Sequence, residues 1–142
     1  MAISVRALKQ GDDHVLLNVA DDVFDDPIDK QQTSAFLDDP RHHLVVALDD
    51  DLVIGFVSAV HSIHPDKPAA ELWINEVGVA PTHQGRGIGK SMLQAMLEVG
   101  RAHGCGSAWV LTARDNSVAM RLYAGVGGEE WHEDTVMFSF AL

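Results

Sequence analysis

Apolar positions along the chain follow two periodicities, and segments of the two kinds are interleaved. Six segments rich in apolar and β-branched residues, several of them alternating with polar positions, predict strands at residues 3–8, 43–48, 52–62, 70–79, 108–112 and 135–141. Between them, apolar residues three and four positions apart predict helices starting near residue 11, at residues 31–37, from residue 88 to about 104 and at residues 116–124. This order favours an α/β fold of the mixed, α+β type, in which helices flank a partly parallel sheet.

Residues 84–90, between the fourth predicted strand and the long helix, are the most informative segment of the chain. They read Gln-Gly-Arg-Gly-Ile-Gly-Lys, and alternating glycines suit neither a helix nor a strand because each loses backbone entropy when it is ordered. A strand, a glycine-rich turn and a helix together present free N–H groups and the positive end of a helix dipole, which suits a phosphate or pyrophosphate. Arg86 and Lys90 can reach the same anion. A turn that binds no ligand is the alternative for this motif alone.

Spacing excludes two familiar phosphate-binding loops. The mononucleotide loop needs four residues between its glycines, whereas three separate Gly85 from Gly89. The dinucleotide motif needs a third glycine where this chain has Lys90. The pattern Gln-x-x-Gly-x-Gly does fit, at Gln84, Gly87 and Gly89.

A second pattern lies downstream and accompanies the first. It reads Asn-x-x-Ala-x-x-Leu-Tyr-x-x-x-Gly and is matched by Asn116, Ala119, Leu122, Tyr123 and Gly127. Asp115 or Asn116 is also a good N-cap for the predicted helix. The two patterns, in this order, resemble the acetyl-CoA motifs of the GNAT superfamily of N-acetyltransferases. The resemblance covers residues 44–142 well and the first forty weakly, and Gly128 departs from the phenylalanine usual in the family.

The resemblance implies a single GNAT domain over residues 1–142, with a central twisted mixed sheet whose splayed strands form a cleft for acetyl-CoA. In such a fold the pantetheine pairs with the strand edge at residues 77–79, and the pyrophosphate lies on residues 84–90. The cofactor-binding residues implied in this way are Val77, Gly78, Val79, Gln84, Gly85, Arg86, Gly87, Ile88, Gly89, Lys90, Asn116, Ala119 and Tyr123. Gly78 also fits a bulge or a close ligand approach, where strand glycines often occur. Acetyl-CoA is the only cofactor implied, as a co-substrate.

Acetyl transfer to an amine needs a base for the ammonium and an acid for the leaving thiolate. The family often places a base in the strand before the loop, which points to Glu76, acting directly or through water; an outward-facing polar strand residue is the alternative. The resemblance makes Tyr123 the general acid, whereas an amphipathic core tyrosine is the alternative. Backbone N–H near Val77 would polarise the thioester carbonyl.

The charge of the chain narrows the class of partner. The net formal charge is -11, and residues 1–51 hold twelve Asp against four Lys or Arg, so that this part carries -8. An acidic surface argues against nucleic acid and anionic membranes and is compatible with a small cationic amine. Carboxylates suited to such a substrate are Asp25, Asp26, Glu76 and Asp134. Simple solubility explains most of the other acidic residues.

The acceptor itself is assigned by a less specific resemblance. The acidic segment at residues 24–26, the tail at residues 133–137 and the chain length resemble aminoglycoside 3-N-acetyltransferases of the same superfamily, which would make the protein an antibiotic-resistance enzyme. Protein N-termini, polyamines and other small amines are alternatives. A non-catalytic module that only binds acyl-CoA is a further alternative, against which Glu76 and Tyr123 count.

The remaining features favour a cytoplasmic enzyme without a metal. Cys105 is the only cysteine, so no internal disulfide can form. No apolar run reaches the length of a membrane span, and residues 1–6 do not resemble a secretory signal. His61 and His64 have a metal-like spacing but no clear third ligand. The three tryptophans suit a core or an interface, which leaves a homodimer open.

Overall fold

A computed structural model describes residues 2–142 of the chain. The strands are β1 (Ile3–Ala7), β2 (His42–Asp49), β3 (Leu52–Ser62), β4 (Ala70–Val79) and β5 (Cys105–Val110). The α-helices are α1 (Lys30–Asp38), α2 (Ile88–Ala102) and α3 (Ser117–Gly125). Two 3₁₀ turns occur, the first at Asp12–Leu17 and the second at Pro81–His83. The predicted mixed α/β architecture is therefore confirmed.

The five strands form one sheet in chain order, β1-β2-β3-β4-β5. Neighbouring strands are antiparallel up to β4, whereas β4 and β5 are parallel and are connected through α2. The core lies between α2 and the sheet, and it includes Met92, Leu93 and Met96 of the helix and Ile54 and Leu72 of the strands, all fully buried. Burial of one helix face in this way is what the apolar spacing of α2 predicted.

A β-bulge in β4 decides which side chains reach which face of the sheet. Ser58 of β3 lies opposite Glu76, but the next residue, Ala59, lies opposite Ile74, so Asn75 is the extra residue. Leu72 and Ile74 are buried on the α2 side. Without the bulge Glu76 would share that side, because strand side chains repeat every second residue. The bulge instead turns Glu76 to the opposite face.

The parallel pairing of β4 and β5 stops halfway along β4. It runs from Ala70 opposite Cys105 to Ile74 opposite Val110, where β5 ends. Beyond Ile74, β4 continues for five residues; the last four pair with β3, and none of the five pairs with β5. The two strands therefore separate, and the expected splayed gap is present.

Three sequence predictions differ from the structure. The first helix is a 3₁₀ turn that ends at Leu17, after which Val19 forms a parallel bridge to Val53. The strand expected at residues 108–112 begins earlier, at Cys105, because its register is set by β4. The strand expected at residues 135–141 is absent: residues 129–142 form no helix or strand pairing within the described chain. Alternation alone does not make a strand, since its backbone groups need a neighbour.

Candidate functional site

The gap between β4 and β5 leaves part of the β4 backbone free. Along residues 75–79, the groups directed away from β3 have no strand partner among the residues that the structure describes. Unpaired N–H and C=O groups at a strand edge accept an extended chain that carries amides. A strand edge is therefore present at Val77, Gly78 and Val79, where the Val79 carbonyl already accepts from the Gln84 side chain. Occupation of this edge by a ligand remains a prediction.

The glycine loop at residues 84–90 opens onto the start of α2. Gly85 and Gly87 have φ of 78° and 76°, in the left-handed region that favours glycine. A Cβ atom at either position would meet nothing within 4 Å, so the backbone conformation and not packing requires these glycines. Gly87 is the N-cap of α2 and has no side chain to cap it. The first-turn N–H groups of Ile88, Gly89 and Lys90 have no preceding helical turn to bond to, and helix ends of this kind favour anions. Binding of a pyrophosphate here remains a prediction.

Gln84 and Gly89 have roles within the protein itself. The Gln84 side-chain amide donates to the Val79 carbonyl at 3.1 Å and ties the loop to the end of β4. A Cβ on Gly89 would lie 3.3 Å from the Leu122 side chain, so this glycine lets α3 pack closely against α2. Contacts of these two residues with a cofactor stay predictions.

The other face of β4 borders a cavity of about 320 Å³, which we call the acidic pocket. Three of the four predicted substrate carboxylates, Asp25, Asp26 and Glu76, line it together. Asp134 does not line it. Asp134 lies exposed in the tail after α3, where the strand predicted at residues 135–141 is absent and no pairing within the described chain brings the tail to the pocket. The lining also contains Leu16, Phe24, Pro27, Ile28, Asp29, Gln32, Thr33, Phe36, Leu37, Leu44, Phe56 and Ser58.

An aromatic pair forms the wall of the acidic pocket next to β4. The rings of Phe24 and Phe56 stack with centroids 4.0 Å apart and an angle of 22° between their planes. Gly78 makes this possible, because a Cβ there would lie 2.5 Å from the Val23 carbonyl and 2.8 Å from the Phe56 ring. The bulge expected near Gly78 lies three residues earlier, at Asn75. Gly78 therefore allows the backbone at Val23 and the Phe56 ring to approach this strand closely.

Sequence reasoning missed several residues of the pocket. Ser58 is buried on β3 directly opposite Glu76, and only the strand register reveals this neighbour. Asp29 lines the pocket too, although its side chain is partly engaged as the N-cap of α1, accepting from the Gln32 N–H at 2.9 Å. The packing of α1 against β2, which brings Asp29 to the pocket, was not predicted from the sequence.

Tyr123 lies half-buried on α3. It follows Leu122, whose side chain packs against Gly89 of the glycine loop. Burial raises the pKa of its hydroxyl, which therefore keeps its proton at neutral pH. Asn116 is the N-cap of α3, and its side-chain oxygen accepts from the Ala119 N–H at 3.1 Å. The second sequence motif thus builds the start of α3, as the N-cap prediction required, and its contacts with a cofactor stay predictions.

Histidines elsewhere do not form the metal site that their spacing suggested. His64 bonds to Glu71 at 3.2 Å, whereas His61 bonds to His43 at 2.7 Å. Among residues 2–142, no cluster of three or more His, Cys, Asp or Glu side chains suits a metal ion. No helix in the described chain is both long and apolar enough to cross a membrane.

The sequence of the chain is similar to those of known proteins. Residues 13–127 match the model of the Acetyltransferase (GNAT) family. Mycothiol acetyltransferase of Kocuria rhizophila is 36% identical over 102 residues, which are 69% of this chain and 33% of that protein. N-alpha-acetyltransferase RimI of Mycobacterium tuberculosis is 28% identical over 127 residues, which are 88% of this chain and 77% of that protein. The chain thus spans about a third of the mycothiol acetyltransferase.

A solved structure extends the similarity in fold to nearly the whole chain. The aminoglycoside acetyltransferase meta-AAC0020, from an uncultured soil metagenomic sample, superposes with a TM-score of 0.84 and 17% identity. The match covers 99% of this chain and 96% of that one.

Proposed function

Because the chain belongs to the Acetyltransferase (GNAT) family, we propose that it transfers an acetyl group from acetyl-CoA to a primary amine bound in the acidic pocket. The observation that carries the proposal is the position of Glu76. It follows the bulge in β4, lines the acidic pocket with its side chain and immediately precedes the strand edge at residues 77–79. One short stretch of β4 thus borders both the gap for the thioester and the pocket for the amine.

The gap between β4 and β5 and the glycine loop bind different parts of acetyl-CoA. The pantetheine amides pair with the free edge at residues 77–79, and the pyrophosphate binds at the start of α2, where Arg86 and Lys90 add charge. The thioester then lies near Glu76, on the strand that ends at the loop. No metal takes part in this scheme.

The reaction needs one C–N bond made, one C–S bond broken and three proton transfers. The acceptor ammonium gives a proton to Glu76, directly or through a water molecule. The free amine attacks the thioester carbonyl carbon, and its oxygen is stabilised by backbone N–H near Val77. The C–S bond then breaks, and the leaving thiolate takes a proton from the Tyr123 hydroxyl. The tyrosinate regains a proton from the acetylated nitrogen, which still carries one more than the amide needs. The products are the acetylated amine and CoA.

The carboxylates of the acidic pocket favour a cationic acceptor. Asp25, Asp26 and Glu76 share one lining, and several ammonium groups on one molecule would each gain a charge-assisted hydrogen bond. We therefore retain an aminoglycoside, acetylated at its 3-amino group, as the first candidate. The similarity in fold to an aminoglycoside acetyltransferase supports a pocket of suitable shape and does not identify the substrate.

A second candidate is the α-amino group of a protein N-terminus. The pocket wall is largely apolar, with the stacked Phe24 and Phe56 and with Phe36 nearby, and it would hold a hydrophobic first side chain. The similarity to RimI over 88% of the chain supports this candidate. The apolar wall would leave hydroxyl groups of a sugar-like acceptor without partners there.

A screen of acceptors separates the candidates. Release of the CoA thiol is followed with acetyl-CoA and, in turn, aminoglycosides, linear polyamines and short peptides with free N-termini. Preference for polycations supports the first candidate, and preference for peptides with an apolar first residue supports the second. Thiol release that no amine accelerates would contradict the proposed function.

A further inference from the structure

A half-buried hydrogen bond between a histidine and an aspartate lies directly before the glycine loop. His83 closes the second 3₁₀ turn, and its Nε2 atom lies 2.8 Å from Oδ2 of Asp49 at the end of β2. Their side chains are only 12% and 14% exposed. The contact joins residues that are 34 positions apart, so it ties the entrance of the loop to the β2–β3 hairpin.

The second ring nitrogen of His83 continues the network toward the loop. Nδ1 lies 2.7 Å from the Thr82 hydroxyl, and the Thr82 carbonyl accepts a hydrogen bond from the Arg86 guanidinium at 3.4 Å. Both ring nitrogens are engaged, which fixes the orientation of the imidazole. The chain of contacts therefore runs from Asp49 to Arg86, a cationic residue of the loop.

The loop has few other restraints. Gly85 and Gly87 adopt left-handed conformations, and added Cβ atoms would meet nothing within 4 Å, so the outer side of the loop is open. Glycines lose more conformational entropy on ordering than other residues. A loop that is held in place before the ligand arrives avoids that cost at the moment of binding.

We propose that His83 and Asp49 are positioning residues that hold the glycine loop in its acetyl-CoA-binding conformation. The inference rests on the proposed function, since it assigns acetyl-CoA to that loop. Neither residue touches the reacting atoms. Loss of the pair should therefore weaken acetyl-CoA binding and leave turnover at saturating acetyl-CoA nearly unchanged.

The chain supplies a matched control for the test. His64 and Glu71 form the same kind of pair at 3.2 Å, at the end of β4 remote from the loop. His83→Gln is a rescue variant, because its amide nitrogen can replace Nε2 as a donor to Asp49. Asp49→Asn keeps the shape of its side chain and removes the charge.

The experiment measures the Kd of acetyl-CoA by calorimetry, together with kcat and both KM values, for folded variants. We expect His83→Ala to raise the Kd and the KM of acetyl-CoA about 5- to 20-fold, with kcat and the acceptor KM within about twofold. Asp49→Asn should raise the Kd severalfold, and the His83→Gln variant should stay within about threefold of the natural chain. His64→Ala should change none of these values by more than about twofold.

The outcomes separate this inference from the proposed function. If the natural chain binds acetyl-CoA and a folded Asp49→Asn or His83→Ala variant binds it as tightly as His64→Ala, the positioning role is wrong while the proposed function stands. A loss of kcat with unchanged Kd also overturns it. A natural chain that does not bind acetyl-CoA overturns both.

Discussion

Glu76 lies directly opposite Ser58 across the β3–β4 pairing, in the residue pair next to the bulge at Asn75. The buried Ser58 and the exposed Glu76 both line the acidic pocket. The extra residue, Asn75, gives Glu76 this direction, because it reverses the order of faces along β4. With regular alternation the Glu76 side chain would face α2. The bulge turns it to the opposite face of the sheet, where the acidic pocket can hold an acceptor amine.

The position of Glu76 gives the first prediction. Glu76→Gln should lower kcat by about 10²-fold or more, with a smaller effect on the KM of the amine, because the variant cannot take up the ammonium proton. Steady-state kinetics at saturating acetyl-CoA measure this change. Glu71→Gln is the control on the same strand, outside the lining of the pocket. Equal kcat values for the natural chain and Glu76→Gln, with chemistry limiting the rate, would remove Glu76 from the mechanism.

Tyr123 gives a second prediction. Tyr123→Phe should lower kcat by about 10- to 10³-fold and leave the Kd of acetyl-CoA nearly unchanged, since the hydroxyl acts when the thiolate leaves. Burial raises the pKa of this hydroxyl, so the natural enzyme should lose no activity through its deprotonation near neutral pH. Calorimetry and a pH–rate profile check the two parts. Unchanged turnover in the variant would assign Tyr123 to packing alone.

The glycine loop gives a third prediction, with a control at the other end of α2. Gly87 and Gly104 share a φ of 76°, and a Cβ at either would meet nothing within 4 Å. Gly87→Asp and Gly104→Asp therefore carry similar backbone strain, and only the first places a carboxylate at the proposed pyrophosphate site. We expect Gly87→Asp to weaken acetyl-CoA binding by more than about 100-fold, and Gly104→Asp to change it little. Calorimetry that showed equal affinities for the two folded variants would refute the loop assignment.

A cluster of imidazoles gives a prediction about pH and stability. His43 lies 2.7 Å from His61, and its ring centroid is 4.5 Å from that of His103. Burial, and then the neighbouring His103, His61 and His42, lower the pKa of His43 from 6.5 to about 4. The unfolded chain therefore binds this proton at a higher pH than the folded chain, so stability is lost as the pH falls from about 6.5 toward 4.

Denaturant unfolding at pH 7 and pH 5 tests this assignment. The loss due to His43 should be about 1–2 kcal/mol, less than the full shift allows because the site is only half-buried. His43→Phe should reduce the loss, whereas replacement of the exposed His132 by Gln should not. Arg41 and Asp39 also face the cluster, and they shift the pKa of His61 in opposite directions. This effect contributes to the pH dependence of stability in both the His43→Phe and the His132→Gln variant. The same pH dependence in His43→Phe and the natural chain would show that other groups cause it.

The extent of β4 was predicted from the sequence to the residue, because a polar loop and the glycine motif bound the apolar run. The bulge at Asn75 was not predicted, since it exists only in the register with β3. The sequence shows charge but not strand register. Asp25 and Asp26 were therefore predicted as substrate-binding residues, whereas Ser58, the partner of Glu76 across the sheet, was overlooked. Asp134 was selected by charge as well, and the chain path after α3 places it outside the pocket.

The charges of the pocket give a fifth prediction. Asp25→Asn combined with Asp26→Asn should raise the KM of a polycationic acceptor severalfold and flatten its dependence on salt, because exposed charges are screened within about 8–10 Å. The pair Glu133→Gln and Asp134→Asn removes the same charge from the tail and should leave that KM within about twofold. Kinetics at low and high ionic strength check this comparison. An equal effect of the two pairs would mean that overall charge, and not the pocket, attracts the acceptor.

The most direct test of the proposed function is mass spectrometry of the products formed from acetyl-CoA and a set of amines. We expect at least one cationic amine to gain an acetyl group in a one-to-one ratio with the CoA released, and we expect Glu76→Gln to suppress both products together. Recovery of every amine unmodified, with acetyl-CoA intact or merely hydrolysed, would contradict it.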